Sequence, residues 1–135
     1  MVIQINDNTS IRHIQEAFSS RYPYLEINFF SGSPNEDNLY EKSDLIPVDS
    51  ILGDIKRTHV SALMEIQPSN TIADVEREFY QRFGLRAQVL RKYETHWILP
   101  ADTDQLTLQQ QNEIANKDAA HIVHPDYDTK IEDII

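Results

Sequence analysis

The chain has 135 residues, with 12 Lys plus Arg against 22 Asp plus Glu for a formal charge of −10, and 40% of its residues are hydrophobic. That length and apolar content suit one domain with its own core and exclude a disordered chain. Cysteine is absent, which excludes disulfides, thiolate catalysis, thiolate zinc sites and iron–sulfur clusters.

In chain order, Val2-Ile3-Gln4-Ile5 reads as a strand. Ile11, Ile14, Phe18 and Tyr22 then fall at helical spacing, with Ser10 or Thr9 able to cap the start and Pro23 forcing a stop. Leu25, Ile27 and Phe29 alternate with Glu26, Asn28 and Phe30 and predict a second strand. Residues Ser31 to Ser43, crowded with Gly, Pro, Asn and acids, read as a solvated loop. Leu45-Ile46-Pro47-Val48 predicts a short strand that Pro47 confines to an edge, and Ile51 to Ile55 predicts one or two helical turns.

The pattern then begins again. Leu63 to Ile66 reads as a strand, followed by Ile72, Val75, Phe79 and Phe83 as a helical stripe. Thr71 and Asp74 have capping-box spacing, and Gly84 suits a left-handed helix end. Ala87 and Val89 alternate as a strand, which a turn at Tyr93-Glu94 would pair with His96 to Leu99. Thr107 and Gln110 have the spacing of another capping box, opening a short helix through about Ala115. Beyond it, residues 116–135 read as an acidic tail in which Asp118, Asp126, Asp128, Glu132 and Asp133 outnumber Lys117 and Lys130.

Sliding the chain by 61 residues superposes the two patterns, with Ile5/Ile66, Ile11/Ile72, Phe18/Phe79 and Arg21/Arg82 identical. Two strand–helix–strand units, 1–61 and 62–115, predict one α+β domain over 1–115, helices lying on a mainly antiparallel sheet as in ferredoxin-like folds. Ile5, Ile11, Ile14, Phe18, Ile27, Ile66, Ile72, Val75, Phe79, Phe83 and Val89 are its expected core. The alternative is a ubiquitin-like β-grasp, since the order of strand, helix, hairpin and short turn after Glu65 is similar to ubiquitin.

Thr71-Ile72-Ala73-Asp74-Val75-Glu76-Arg77-Glu78-Phe79 through Arg82-Phe83-Gly84-Leu85, then Gln88-Val89, Arg91-Lys92, Trp97 and Leu106 to Asn112, resembles a group of small uncharacterised bacterial proteins. That group has no assigned reaction or ligand, so the resemblance implies no catalytic residue.

His121 and His124, followed by Asp126 and Asp128, form the one cluster of metal-competent side chains, and Pro125 interrupts any helix that would align them. Arg82, Arg86, Arg91 and Lys92 form a basic run that would suit an anion, with a local salt-bridged surface as the plainer reading. The net negative charge opposes nucleic-acid binding. Leu90, Trp97 and Leu99 are expected to face outward from the hairpin, with the tail's Ile131, Ile134 and Ile135 as unexplained apolar residues that would extend an interface there. Glycines stand alone at Gly32, Gly53 and Gly84, so no phosphate loop is present, and no nucleophile sits beside an oxyanion motif. An enzyme is disfavoured and no cofactor is implied. The expected function is a protein-interaction or regulatory module of the cytoplasm, binding a protein partner or a second copy, with a small-ligand or metal-binding protein as the alternative. No 18-residue apolar run appears in the chain, so a membrane-spanning role is not expected.

Overall fold

The computed structural model describes residues 1–55, 61–100, 103 and 105–123, with side chains of the last helix through residue 117. Its elements are β1 (Val2–Ile5), α1 (Ile11–Arg21), β2 (Leu25–Phe30), a 3-10 turn (Lys42–Asp44), α2 (Leu52–Ile55), β3 (Ala62–Glu65), α3 (Ile72–Phe83), β4 (Arg86–Tyr93), β5 (His96–Ile98) and α4 (Leu108–Val123). The architecture is α+β, with every strand pair among the described residues antiparallel.

Side chains near the helix ends set their limits. Ser10 Oγ accepts the His13 amide at 3.0 Å and opens α1, satisfying one of the donors that a helix start leaves without partners. At α3 the capping box is complete: Thr71 Oγ1 accepts the Asp74 amide at 3.1 Å and Asp74 Oδ2 accepts the Thr71 amide at 3.0 Å. Gly84 ends α3 at φ 65°, where a residue without Cβ bears no steric penalty. Thr107 and Gln110 make the same reciprocal pair in front of α4, at 2.9 and 3.1 Å.

Each sheet draws a strand from each half of the chain. β1 pairs with β3, placing Ile3 opposite Met64, and β2 pairs with β4, placing Ile27 opposite Val89. The alternate residues Ile3, Ile5, Leu25, Ile27, Phe29, Met64, Ala87 and Val89 turn inward. They meet the stripes Ile11, Ile14, Phe18 and Ile72, Val75, Phe79, Phe83 in a single core cluster that contains every residue expected there. Burial of each large side chain contributes about 1.5–3 kcal/mol relative to exposure, so this shared core holds the two halves together.

The helices that follow each unit dock in corresponding ways. The Leu52 amide donates to Thr9 O at 2.9 Å, and the Leu108 amide to Asn70 O at 2.8 Å. Ser10 bridges Ile51 in the first half and Thr71 bridges Thr107 in the second. These contacts bring the start of α4 against the start of α3, where the cleft described below ends.

Three local expectations change. Leu45 makes only an isolated bridge to Phe30, and the Ile46 amide donates to Phe29 O at 2.8 Å, so no strand forms around Pro47. The hairpin turns at Glu94-Thr95, which pairs Trp97 with Lys92, while Leu90 lies opposite Glu26. Glu94 takes the left-handed conformation at φ 55°; the expected turn would have put the bulkier Tyr93 in that region, at greater steric cost. Finally, α4 continues to Val123, well past Ala115, because residues 116–123 contain neither Gly nor Pro. The first part of the expected tail is therefore helical. The strands lie in two sheets, β1 with β3 and β2 with β4 and β5.

Candidate functional site

β5 is short, and this creates the most distinctive surface. It pairs with Arg91–Tyr93 only, leaving Arg86–Leu90 of β4 with β2 as its one strand neighbour among the described residues. The Lys92 amide donates to Tyr24 O at 2.9 Å. Because hydrogen-bonding direction alternates along an antiparallel strand, Leu90, Gln88 and Arg86 also turn their main-chain groups toward β2. Ala87 and Val89 turn theirs the other way, away from β2, at positions that are buried. An unpaired edge is a template for another strand unless something blocks it.

A cleft runs along this edge between β4, α3 and the loop after β2. It comprises two adjoining hollows of about 270 and 90 Å³ that share Glu76. The larger is lined by Tyr40, Arg77, Tyr80, Arg86 and Ala87. Ile72, Val89, Leu99 and Pro100 give the smaller its apolar wall, and Asp37 lies at it too. Glu76 accepts the Val89 amide at 2.9 Å, occupying one of the two edge donors. Gln88 Nε2 donates to Asn38 O at 3.2 Å, and Tyr40 stacks on Phe30 with centroids 4.3 Å apart. These contacts hold the loop as the cleft's other wall.

The charges in the cleft are separated. The Arg86 guanidinium lies 4.7 Å from the Tyr80 ring centroid and donates to its hydroxyl at 3.4 Å. Among the described residues no carboxylate pairs with it. Arg77 is held by Asp74 at 2.6 Å. The Asp74 carboxyl lies below the usual carboxylate range, chiefly through the Thr71 amide and then through Arg77. Such an arrangement suits recognition of a backbone and a carboxylate; among the described residues no nucleophile with an adjacent base lines either hollow.

The basic run does not converge on one anion site. Arg82 reaches Leu63 O at 3.1 Å and Glu78 at 3.7 Å, on the β3 side of α3. Arg91 points inward, donating to Gln111 Oε1 at 2.7 Å and Thr103 Oγ1 at 3.2 Å. Lys92 lies opposite Trp97. Alternation along β4 separates Arg91 from Arg86 and Lys92, and only Arg86 reaches the cleft.

The hairpin candidates also separate. Trp97 is 40% exposed and stays on the same face as half-buried Leu90, whereas Leu99, beyond β5, lines the small hollow with Val89. His121 lies within α4 at a position whose side chain is not described, and His124, Asp126, Asp128, Ile131, Ile134 and Ile135 lie outside the described residues. Among the described residues no group of three or more His, Cys, Asp or Glu is placed to hold a metal. None of their helices is long and apolar enough to cross a membrane.

A larger, polar hollow of about 450 Å³ lies at the start of α1, lined by residues that include Asn6, Asn8, Thr9, Ser10 and His13. Its polar groups serve the turn itself: Asn6 Oδ1 accepts the Asn8 amide at 2.8 Å, Thr9 Oγ1 accepts the Asn6 amide at 2.9 Å, and Ser10 caps the helix.

Glu76, Tyr80, Tyr40 and Asn38 were not marked by sequence reasoning. The available signal was length: a hairpin strand of three or four residues cannot cover an eight-residue partner. Compared with protein-family models, curated proteins and solved structures, the chain matches none.

Proposed function

We propose that this protein is a non-enzymatic interaction module that receives an extended segment of a protein partner in the cleft beside β4. The observation that carries the reading is the phase of the β2–β4 ladder, which turns the main-chain groups of Ala87 and Val89 into a cleft that β5 stops short of covering. A strand added here gains main-chain hydrogen bonds from Ala87, while the hollows on either side of Glu76 receive side chains. The cytoplasm is the setting we take for this recognition.

The same reading treats the chain as an internal repeat of one β-α-β design. The corresponding docking bonds at Thr9 and Asn70, and the pairing of Ile3 with Met64, its counterpart 61 residues on, support it.

A displayed library of random seven-residue peptides, selected on the full chain, tests the binding function. Selected peptides are expected to slow hydrogen exchange of the Ala87 amide and to lose binding to Ala87→Pro. That substitution removes an amide facing away from β2, so the ladder keeps its bonds. Selected peptides that leave Ala87 exchange unchanged, or bind a folded Ala87→Pro chain equally well, would refute the reading.

A further inference from the structure

We infer that the free edge of β1 pairs with the same edge of a second copy, joining two chains in one continuous sheet about a two-fold axis at Ile3. This goes beyond the cleft reading and does not depend on it. The phase of the β1–β3 ladder carries it. Met1 O accepts the Ile66 amide at 2.9 Å. Bonded pairs therefore fall at Met1, Ile3 and Ile5, and the alternate residues Val2 and Gln4 turn their main-chain groups away from β3. Both residues are exposed.

The two edges of this sheet differ. On the β3 side Arg82 Nη2 donates to Leu63 O at 3.1 Å, and Glu65 places a charge on the strand; both features blunt an edge. Arg21 stands 61 residues before Arg82, as Val2 stands before Leu63. It lies 4.9 Å from the Tyr22 ring centroid and makes no bond to Val2 O. Residues 1–6 carry no charged side chain. Among the described residues the Gln4 carbonyl meets only Thr9 Oγ1, at 3.4 Å, which leaves room for a second donor.

Antiparallel pairing about Ile3 sets Val2 opposite the partner's Gln4, and Gln4 opposite the partner's Val2. Each position offers an amide and a carbonyl, so the edge complements itself. The side chains favour the same contact. Leu63 at 61% and Val2 at 58% are the most exposed large apolar residues among those described, and they are diagonal neighbours on one face of the sheet. Pairing brings Val2 beside the partner's Val2 across the axis and takes both from water. One two-fold operation satisfies both edges and both valines, which a foreign strand does only if its sequence happens to match. A four-residue strand covers far less than the roughly 800 Å² per partner of a stable dimer, so the association is weak and needs high protein concentration.

Sedimentation of the full chain over a wide concentration range measures this. The average mass should rise toward twice that of the monomer, and hydrogen exchange of the Val2 and Gln4 amides should slow in step. Gln4→Pro removes an amide that faces away from β3, so it should keep the urea midpoint near wild type and remain monomeric. Val2→Lys is a second variant, at an exposed side chain; it sets like charges beside each other across the axis and should also remain monomeric.

A wild-type chain that is monomeric throughout overturns the inference. So does a dimer in which the Val2 and Gln4 amides exchange as fast as in the monomer, or a folded Gln4→Pro or Val2→Lys chain that dimerises as wild type does. Slow exchange of both amides that does not depend on concentration would mean that the edge is covered from within the chain, and overturns it as well.

Discussion

Gln111→Leu should be among the most damaging substitutions of a polar residue in this protein. Gln111 is fully buried; its Oε1 accepts from Arg91 Nη1 at 2.7 Å, and its Nε2 donates to Thr103 O. Arg91 is already under-satisfied, since its Nε is buried without a partner. Replacing the amide by an aliphatic side chain of similar size leaves Arg91 Nη1 with Thr103 Oγ1 alone, at 3.2 Å. Removing the acceptor of a buried charged donor costs about 1.5–3 kcal/mol, and the Thr103 carbonyl adds about 1 kcal/mol. Better transfer of Leu into the core offsets about 1 kcal/mol, leaving a net loss of about 1.5–3 kcal/mol. Against a total stability of roughly 5–15 kcal/mol, that is a large fraction. In urea, with a slope of about 1.5 kcal/mol/M, the midpoint should fall by about 1–2 M. Arg91→Met combined with Gln111→Leu removes both halves of the interaction and should recover more than half of the loss. A Gln111→Leu chain as stable as wild type, or a double variant whose loss is the sum of the two single losses, would refute the view that this pair anchors α4 to β4.

Other perturbations separate the core from the surface. Phe79→Ala empties a fully buried site whose ring lies 5.1 Å from Phe29 and 6.2 Å from Phe83, and calorimetry should show a loss of about 3–5 kcal/mol. Trp97→Ala, at a side chain 40% exposed, should change stability by less than about 1 kcal/mol; a loss equal to that of Phe79→Ala would contradict its placement. Gly84→Ala forces a Cβ into the left-handed conformation at φ 65° and should lower the urea-derived stability by about 1 kcal/mol. Asp74 is depressed by the Thr71 amide and by Arg77. Its contribution is therefore present above its unfolded value near 3.9 and is lost as pH falls through the lower folded value. The stability deficit of Asp74→Asn, below about 1 kcal/mol for this partly exposed group, should appear at pH 6 and shrink below pH 4 in a urea titration series; a deficit independent of pH would remove the carboxylate from the account.

Local sequence determined a great deal here because it is read over short distances. Ser10, Thr71 with Asp74, Gly84 and Thr107 with Gln110 mark helix ends through bonds to neighbours within a few residues. The stripes of α1 and α3 and the alternation in β2 and β4 identify the buried faces without knowledge of the partners, because helix and strand periods fix which residues share a side. Tertiary structure alone decided which strands pair. Nothing local to Ile27 marks Val89 as its neighbour, and that register decides whether the Ala87 main chain turns toward β2 or away from it. The same holds for the cleft. Glu76 and Tyr80 look like ordinary polar-face residues of a helix until α3 is laid beside β4, where Glu76 reaches the Val89 amide and Tyr80 receives Arg86. Arg82, Arg86, Arg91 and Lys92 are neighbours in sequence, yet a helix end and a strand send them to different sides, because pairing and packing act between elements far apart in the chain.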